Sequence, residues 1–173
     1  MDRRRILVIG PSGAGKSTLA RAIAARLEIP VVHLDALFWN PGWAPNDLQF
    51  FRARVAECVA QEAWAMDGNY SSTLDIRLPR TQAVIWLDLP RHVYFLRALW
   101  RSIREYGRHR ADVGNLEKFD LSFLFGWVWR YPQHSRAEHE ALMTDLPEEI
   151  RGIVLRSRAE VAAFVKELPG SLD

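Results

Sequence analysis

The sequence predicts a parallel α/β domain, and three observations carry that prediction. Along its 173 residues, short apolar runs alternate with stretches of helical periodicity. The apolar runs are nearly continuous, the pattern of strands covered on both faces. Between the first run and the first helical stretch, Gly10-Pro11-Ser12-Gly13-Ala14-Gly15-Lys16-Ser17 matches G-x-x-x-x-G-K-[ST]. A chain of this length suits one domain, residues 1–173, and 49% hydrophobic with 25% charged residues excludes a disordered or low-complexity polymer.

The expected strands are residues 6–9, 31–34, 64–66, 84–87 and 153–155. The first helix spans 16–27, with Leu19, Ile23 and Leu27 spaced four apart on one face. The second has Asn46 as N-cap and Gln49 three residues on, and it presents Leu48, Phe51, Val55 and Val59, with Cys58 as a small core residue. The last opens with the capping-box pair Ser157 and Glu160 and presents Val161, Phe164, Val165 and Leu168. Residues 90–147 add helix-compatible sequence without another strand, which reads as an inserted helical cover.

Cys58 is the one cysteine, so no internal disulfide or multi-cysteine zinc site is available, and a reducing cytoplasm is expected. The apolar stretch after Arg3-Arg4-Arg5 ends too soon for an export signal, and no run approaches the ~18 apolar residues of a spanning helix, so no membrane partner is expected. A net charge of +2 is small for a protein that coats polyanions. Residues 91–136, however, hold nine basic against four acidic residues.

In the strand–loop–helix setting, the glycines let backbone N–H groups curl inward while the helix N-terminus adds positive potential, a cradle for di- or triphosphate oxygens. Gly10, Ser12, Gly13, Ala14 and Gly15 form the cradle. Lys16 reaches the β/γ-phosphates, Ser17 supplies a hydroxyl for Mg²⁺, and Thr18 bonds the α-phosphate. ATP and Mg²⁺ are the expected cofactors.

At these residues the chain resembles the P-loop kinases of the adenylate kinase-like group. The resemblance is closer to the DNA topology modulation (FlaR-related) family. It extends over Leu34-Asp35-Ala36-Leu37-Phe38-Trp39, Asp67-Gly68-Asn69-Tyr70, Ile85-Trp86-Leu87-Asp88-Leu89-Pro90 and the arginine-rich cover. Where that family is expected to carry a Gly-Cys-Pro-Glu-like turn, this chain has Gly114-Asn115-Leu116-Glu117, so a role tied to that cysteine and proline does not carry over. The resemblance implies a P-loop NTPase fold, a three-layer α/β/α sandwich whose five parallel strands run in the order 2-3-1-4-5, with an arginine-rich helical lid over about 97–136. It sets Asp67, at the end of strand three, beside the phosphates, where an aspartate holds Mg²⁺ through water with Ser17; a turn-forming Asp-Gly is the alternative. Asp35, at the end of strand two, lies where open α/β sheets bind ligands; it either orients or deprotonates an acceptor hydroxyl, as a carboxylate does in related small-molecule kinases, or serves a local turn.

Arg97, Arg101, Arg104 and Arg108 are spaced 4, 3 and 4 apart and form a cationic stripe on one helix face. Val93, Leu96, Trp100 and Ile103 are expected to pack that helix down. Arg97-x-x-x-Arg101 resembles the start of the adenylate kinase lid, with the first arginine against adenine and the second at the terminal phosphate. Arg130 and Arg136 close from the far side, and Arg156, just past the last strand, joins the nucleotide-binding set. Arg77 and Arg80 either read an acceptor anion or lie on the surface. Trp39 and Trp43 either wall an acceptor or simply pack their loop. The aromatic run 121–131 either packs the lid or offers a lipid- or partner-binding patch. The histidines show no metal-ligand spacing.

The expected activity is transfer of the ATP γ-phosphoryl group to a small-molecule acceptor, with Lys16, Asp35, Asp67, Arg97 and Arg101 as catalytic residues. An NTP-binding regulator that contacts nucleic acid, or a plain NTPase, is the alternative.

Overall fold

The architecture is taken from a computed structural model, which describes residues 4–109 and 113–168. Near-continuous apolar character makes five strands, the three inner ones buried on both faces and the two at the sheet edges partly exposed. They are β1 (Arg5–Ile9), β2 (Val31–His33), β3 (Trp64–Asp67), β4 (Ala83–Leu87) and β5 (Arg151–Leu155). All pairings are parallel and the order is β2-β3-β1-β4-β5, as the resemblance implies. Register brings Val8 opposite Asp67 and Asp67 opposite His33, so these residues form one row at the carboxyl edge of the sheet.

Alternation along each strand sends side chains to two cores. Ile6, Val8, Ile85 and Leu87 pack with α1 (Lys16–Leu27), while Leu7, Ile9, Trp64, Met66 and Trp86 pack on the opposite face. Past β2 come the short α2 (Leu34–Phe38), a hairpin pairing Trp39–Asn40 with Ala44–Pro45, and α3 (Leu48–Val59). Asp47, not Asn46, caps α3, since its carboxylate accepts from the Gln49 and Phe50 amides at 2.8 and 3.2 Å. Asn46 instead donates to the Leu37 carbonyl at 2.9 Å and ties the hairpin to α2. Phe51, Val55 and Val59 fill the core, whereas Leu48, in the first turn, is 50% exposed. Cys58 is half-buried against the same core, and burial raises its thiol pKa.

After β3, a short α4 (Leu74–Arg77) leads to β4. The cover follows as α5 (Arg91–Arg104), a π-helical stretch at Phe123–Val128, α6 (Tyr131–His134) and α7 (Arg136–Thr144). α8 (Arg158–Glu167) closes the chain; Ser157 Oγ caps it by accepting from the Glu160 amide as expected, while the Glu160 carboxylate accepts from the amide of Arg156, one residue before the cap. Among the described residues no helix is long and apolar enough to cross a membrane.

The packing face of α5 differs from the expected one. Tyr94, Phe95, Ala98 and Ser102 are buried, whereas Leu96, Trp100 and Ile103 face outward at 58%, 63% and 53% exposure. At about 100° per residue, the buried side lies nearly opposite the expected apolar one, and the arginines run between the two. The reason is small-residue contact: a Cβ built on Gly13 would stand 3.0 Å from Ala98 Cβ, so only the alanine face lets α5 sit this close to the phosphate loop.

Candidate active site

The G-x-x-x-x-G-K-S segment turns between β1 and α1 at the carboxyl edge of the sheet. Gly13 has φ 84°, and a Cβ there would lie 2.1 Å from the Tyr94 carbonyl oxygen, so this position needs glycine both for its backbone and for its neighbour. Gly15, also left-handed, is the N-cap of α1 and makes no side-chain cap bond, so the first-turn amides are left for a ligand. Lys16 Nζ donates to the Pro11 carbonyl at 3.1 Å and so arches over the loop. Thr18 is exposed at the helix start.

Asp67 is 5% exposed and held on both oxygens. Ser17 donates to Oδ2 at 2.6 Å, and His33 Nδ1 contacts Oδ1. These hard oxygen donors at the phosphate loop suit Mg²⁺, which takes one or two protein ligands and fills its octahedron with water and phosphate oxygens. Among the described residues no group of three or more His, Cys, Asp or Glu side chains could hold a metal.

The first two arginines of the stripe reach the loop. A Cβ on Gly15 would lie 3.3 Å from Arg97 Nη2, so that guanidinium rests against the loop, where partial burial and the charge of Arg158 lower its pKa. Arg101 Nη2 approaches Ser12 Oγ at 3.5 Å, and its Nε lies 3.5 Å from the buried carboxylate of Glu117. Arg104, Arg108 and Arg130 are exposed. Arg136 does not close over the phosphates. Its guanidinium forks onto Asp88 at 3.0 and 2.9 Å and lies over the Trp86 ring, because Asp88, the residue just after β4, offers a nearly buried carboxylate. Arg156 lines a cavity of about 310 Å³ with Asp88, Arg91, Tyr94 and Arg136.

Beyond β2, Tyr70 donates to Asp35 Oδ1 at 2.6 Å. The Tyr70 ring packs on Phe38 and Phe51, and Phe38 leads on to Trp39 and Trp43 with ring centroids 4.8 and 5.8 Å apart in turn. Both tryptophans are half-buried. Arg77 neither reads an acceptor anion nor lies on the surface: it is 0% exposed and donates to backbone carbonyls. Arg80 is exposed and reaches the Ala60 carbonyl at 3.4 Å.

The cover is fastened to the hairpin by the turn that departs from the expected family pattern. The Gly42 amide donates to Asn115 Oδ1 at 2.8 Å, Asn115 Nδ2 donates to the Asn40 carbonyl at 3.0 Å, and Trp43 Nε1 donates to the Leu116 carbonyl at 2.7 Å. Two residues on, Glu117 accepts from Ser102 Oγ at 3.1 Å and meets Arg101. A second buried network lies behind Lys16. Trp86 Nε1 donates to the Tyr131 hydroxyl at 3.0 Å, and that hydroxyl donates to His139 Nδ1 at 2.6 Å. Burial first, then the Lys16 and Arg77 charges, push the His139 pKa down to about 4, so the imidazole is neutral and free to accept.

His33, Asn69, Asn115 and Glu117 are site-building residues that carry no local motif of their own. Asn69 and Tyr70 follow Asp67-Gly68 directly, and that adjacency is the signal that could have singled them out.

Comparison with known proteins bears on the fold. Residues 6–88 match the family described as ATPase family associated with various cellular activities (AAA). An uncharacterized protein of Bacillus subtilis (strain 168), YqaC, is 28% identical over 153 residues, 83% of this chain and 84% of that one. Shikimate kinase from Bacteroides thetaiotaomicron superposes with a TM-score of 0.57 at 19% identity, covering 95% of this chain and 96% of the other. A gluconokinase from Sinorhizobium meliloti 1021 does so with a TM-score of 0.53 at 18% identity, covering 96% and 95%. Taken with the sheet order and the phosphate loop, these likenesses show that the chain has the P-loop NTPase fold, in an arrangement shared with small-molecule kinases.

Proposed function

We propose that the protein is an ATP- and Mg²⁺-dependent phosphotransferase whose acceptor is a small molecule with a free hydroxyl. One observation carries the reading: two carboxylates, Asp67 at the end of β3 and Asp35 in the first turn of α2 just past the neighbouring β2, are held in different ways. Asp67 is bonded to Ser17 on the phosphate-loop side, and Asp35 is bonded to Tyr70 on the other. A plain NTPase has no use for the second. In this reading the acceptor oxygen forms a bond to the γ-phosphorus, the bond to the β–γ bridging oxygen breaks, and the acceptor proton passes to the Asp35 carboxylate. Tyr70 orients that carboxylate. Lys16, Arg97 and Arg101 stabilise charge on the moving group and on the departing ADP. Ser17 and Asp67 would hold Mg²⁺ here, and the ion would supply neutralisation of the phosphate oxygens. Kinases of shikimate, gluconate and sugars among the solved neighbours support a hydroxyl acceptor. A cytoplasmic location, with ATP and reduced thiols, goes with the reading.

The likeness to DNA topology modulation proteins belongs to the same proposal. The regulator reading gains nothing from the cover, since Arg97 and Arg101 lean on the phosphate loop and Arg136 is committed to Asp88. The test is nucleotide turnover across nucleosides, nucleoside monophosphates and sugar acids. An acceptor is expected to raise ADP release well above that with water, and Lys16→Ala to abolish the rise. If every acceptor leaves turnover at the water level, the phosphotransferase reading fails.

A further inference from the structure

A fully buried guanidinium with no carboxylate among its hydrogen-bond partners is costly to keep, and Arg77 is one. Burial drags its pKa down to about 10, and it remains a cation. Its Nη1 donates to the Gly68 carbonyl at 3.2 Å, and its Nη2 donates to the Asn69 and Tyr70 carbonyls at 2.7 and 2.9 Å. Three consecutive carbonyls converge on one cation only where the chain is bent hard, and here Gly68 has φ 130° and Tyr70 φ 27°. For tyrosine that left-handed value is strained and persists only when its surroundings impose it.

The two residues held this way face opposite halves of the site. Asn69 Oδ1 accepts from the Gly10 amide at 3.0 Å, at the first residue of the phosphate loop. Tyr70 donates to Asp35. We infer that Arg77 is a positioning residue: by gathering the carbonyls of residues 68–70 it sets Asn69 against the phosphate loop and Tyr70 against the acceptor carboxylate, and so keeps the donor and acceptor halves in register. Arginine suits this task because its planar fork offers donors in fixed directions, whereas an ammonium on a flexible stem does not hold three carbonyls at once.

The inference rests on residues 10–18 being a nucleotide-phosphate loop, and the experiment separates the two. Affinity for the magnesium complex of a nonhydrolysable ATP analogue is measured for wild type, Asn69→Ala, Arg77→Lys and the double variant, with urea midpoints recorded alongside. Failure of the wild type to bind would sink the phosphate-loop reading itself. If it binds, each single variant is expected to weaken affinity about tenfold, and the double variant to be no weaker than the worse single one, because both act through one contact. Hydrogen exchange at the Gly10 amide is expected to speed up in Arg77→Lys while β1 and β4 amides keep their protection. Unchanged affinity in Arg77→Lys, or losses that multiply in the double variant, overturns the inference. Should Arg77→Lys not fold, Arg77→Gln carries the same cycle; if neither folds, Arg77 is a folding residue and the inference falls.

Discussion

The donor and acceptor halves of this site are built differently. The proposed donor half is one continuous stretch, residues 10–18, whose glycines, lysine and serine sit at fixed spacing. The acceptor half is assembled from Asp35 after β2, Tyr70 after β3, the hairpin at 39–45 and the turn at 115–118, joined by side-chain hydrogen bonds across long separations. Backbone cradles therefore announce themselves in sequence, and side-chain assemblies do not. It follows that damage to the first half should strip nucleotide binding, while damage to the second should spare it.

The largest expected effect is at Lys16. Replacing it with alanine is expected to lower acceptor-dependent turnover by about three orders of magnitude and to weaken nucleotide binding, read by steady-state kinetics and analogue titration. Asp35→Asn is expected to cost roughly 10²-fold or more in kcat with nucleotide affinity intact. Equal loss of nucleotide binding in both variants would erase the distinction between the halves.

The network behind Lys16 gives a pH test. His139 has its pKa lowered from 6.5 to about 4, so the unfolded chain binds more protons between these values and stability falls as pH drops through that window. The loss should approach about 3 kcal/mol by pH 4 in urea titrations, and His139→Gln should flatten the profile. Asn115→Ala removes the bond from the Gly42 amide and is expected to raise the acceptor KM while lowering folding stability by about 1 kcal/mol. A nucleotide KM that rises equally would mean that the cover serves both halves alike. Smallest is Ser157→Ala, expected to lower stability by about 1 kcal/mol through loss of the α8 cap without touching either KM.

The sheet is legible because its inner strands are buried on both faces and all five read as apolar runs, and each lies within two residues of its expected place. The phosphate loop is legible by its spacing and Asp67 by its place at the end of β3, whereas Asp35, expected at the end of the second strand, lies in the first turn of α2. Other features were not. Arg77 looks like any arginine until the fold wraps three carbonyls around it. The buried side of α5 was misjudged because periodicity weighs Leu96, Trp100 and Ile103 as apolar, whereas contact with Gly13 selects the small side chain of Ala98. Arg136 went astray because Asp88, distant in sequence, is its near neighbour in space.

The turn at 115–118 has a further consequence. Asn115 grips the hairpin above the acceptor carboxylate, and Glu117 reaches Arg101, whose guanidinium lies along Ser12. Doorway and counterion are thus hinged on a single short segment. In the proposed enzyme, admission or release beside the hairpin is therefore expected to be felt by the arginine at the phosphate loop.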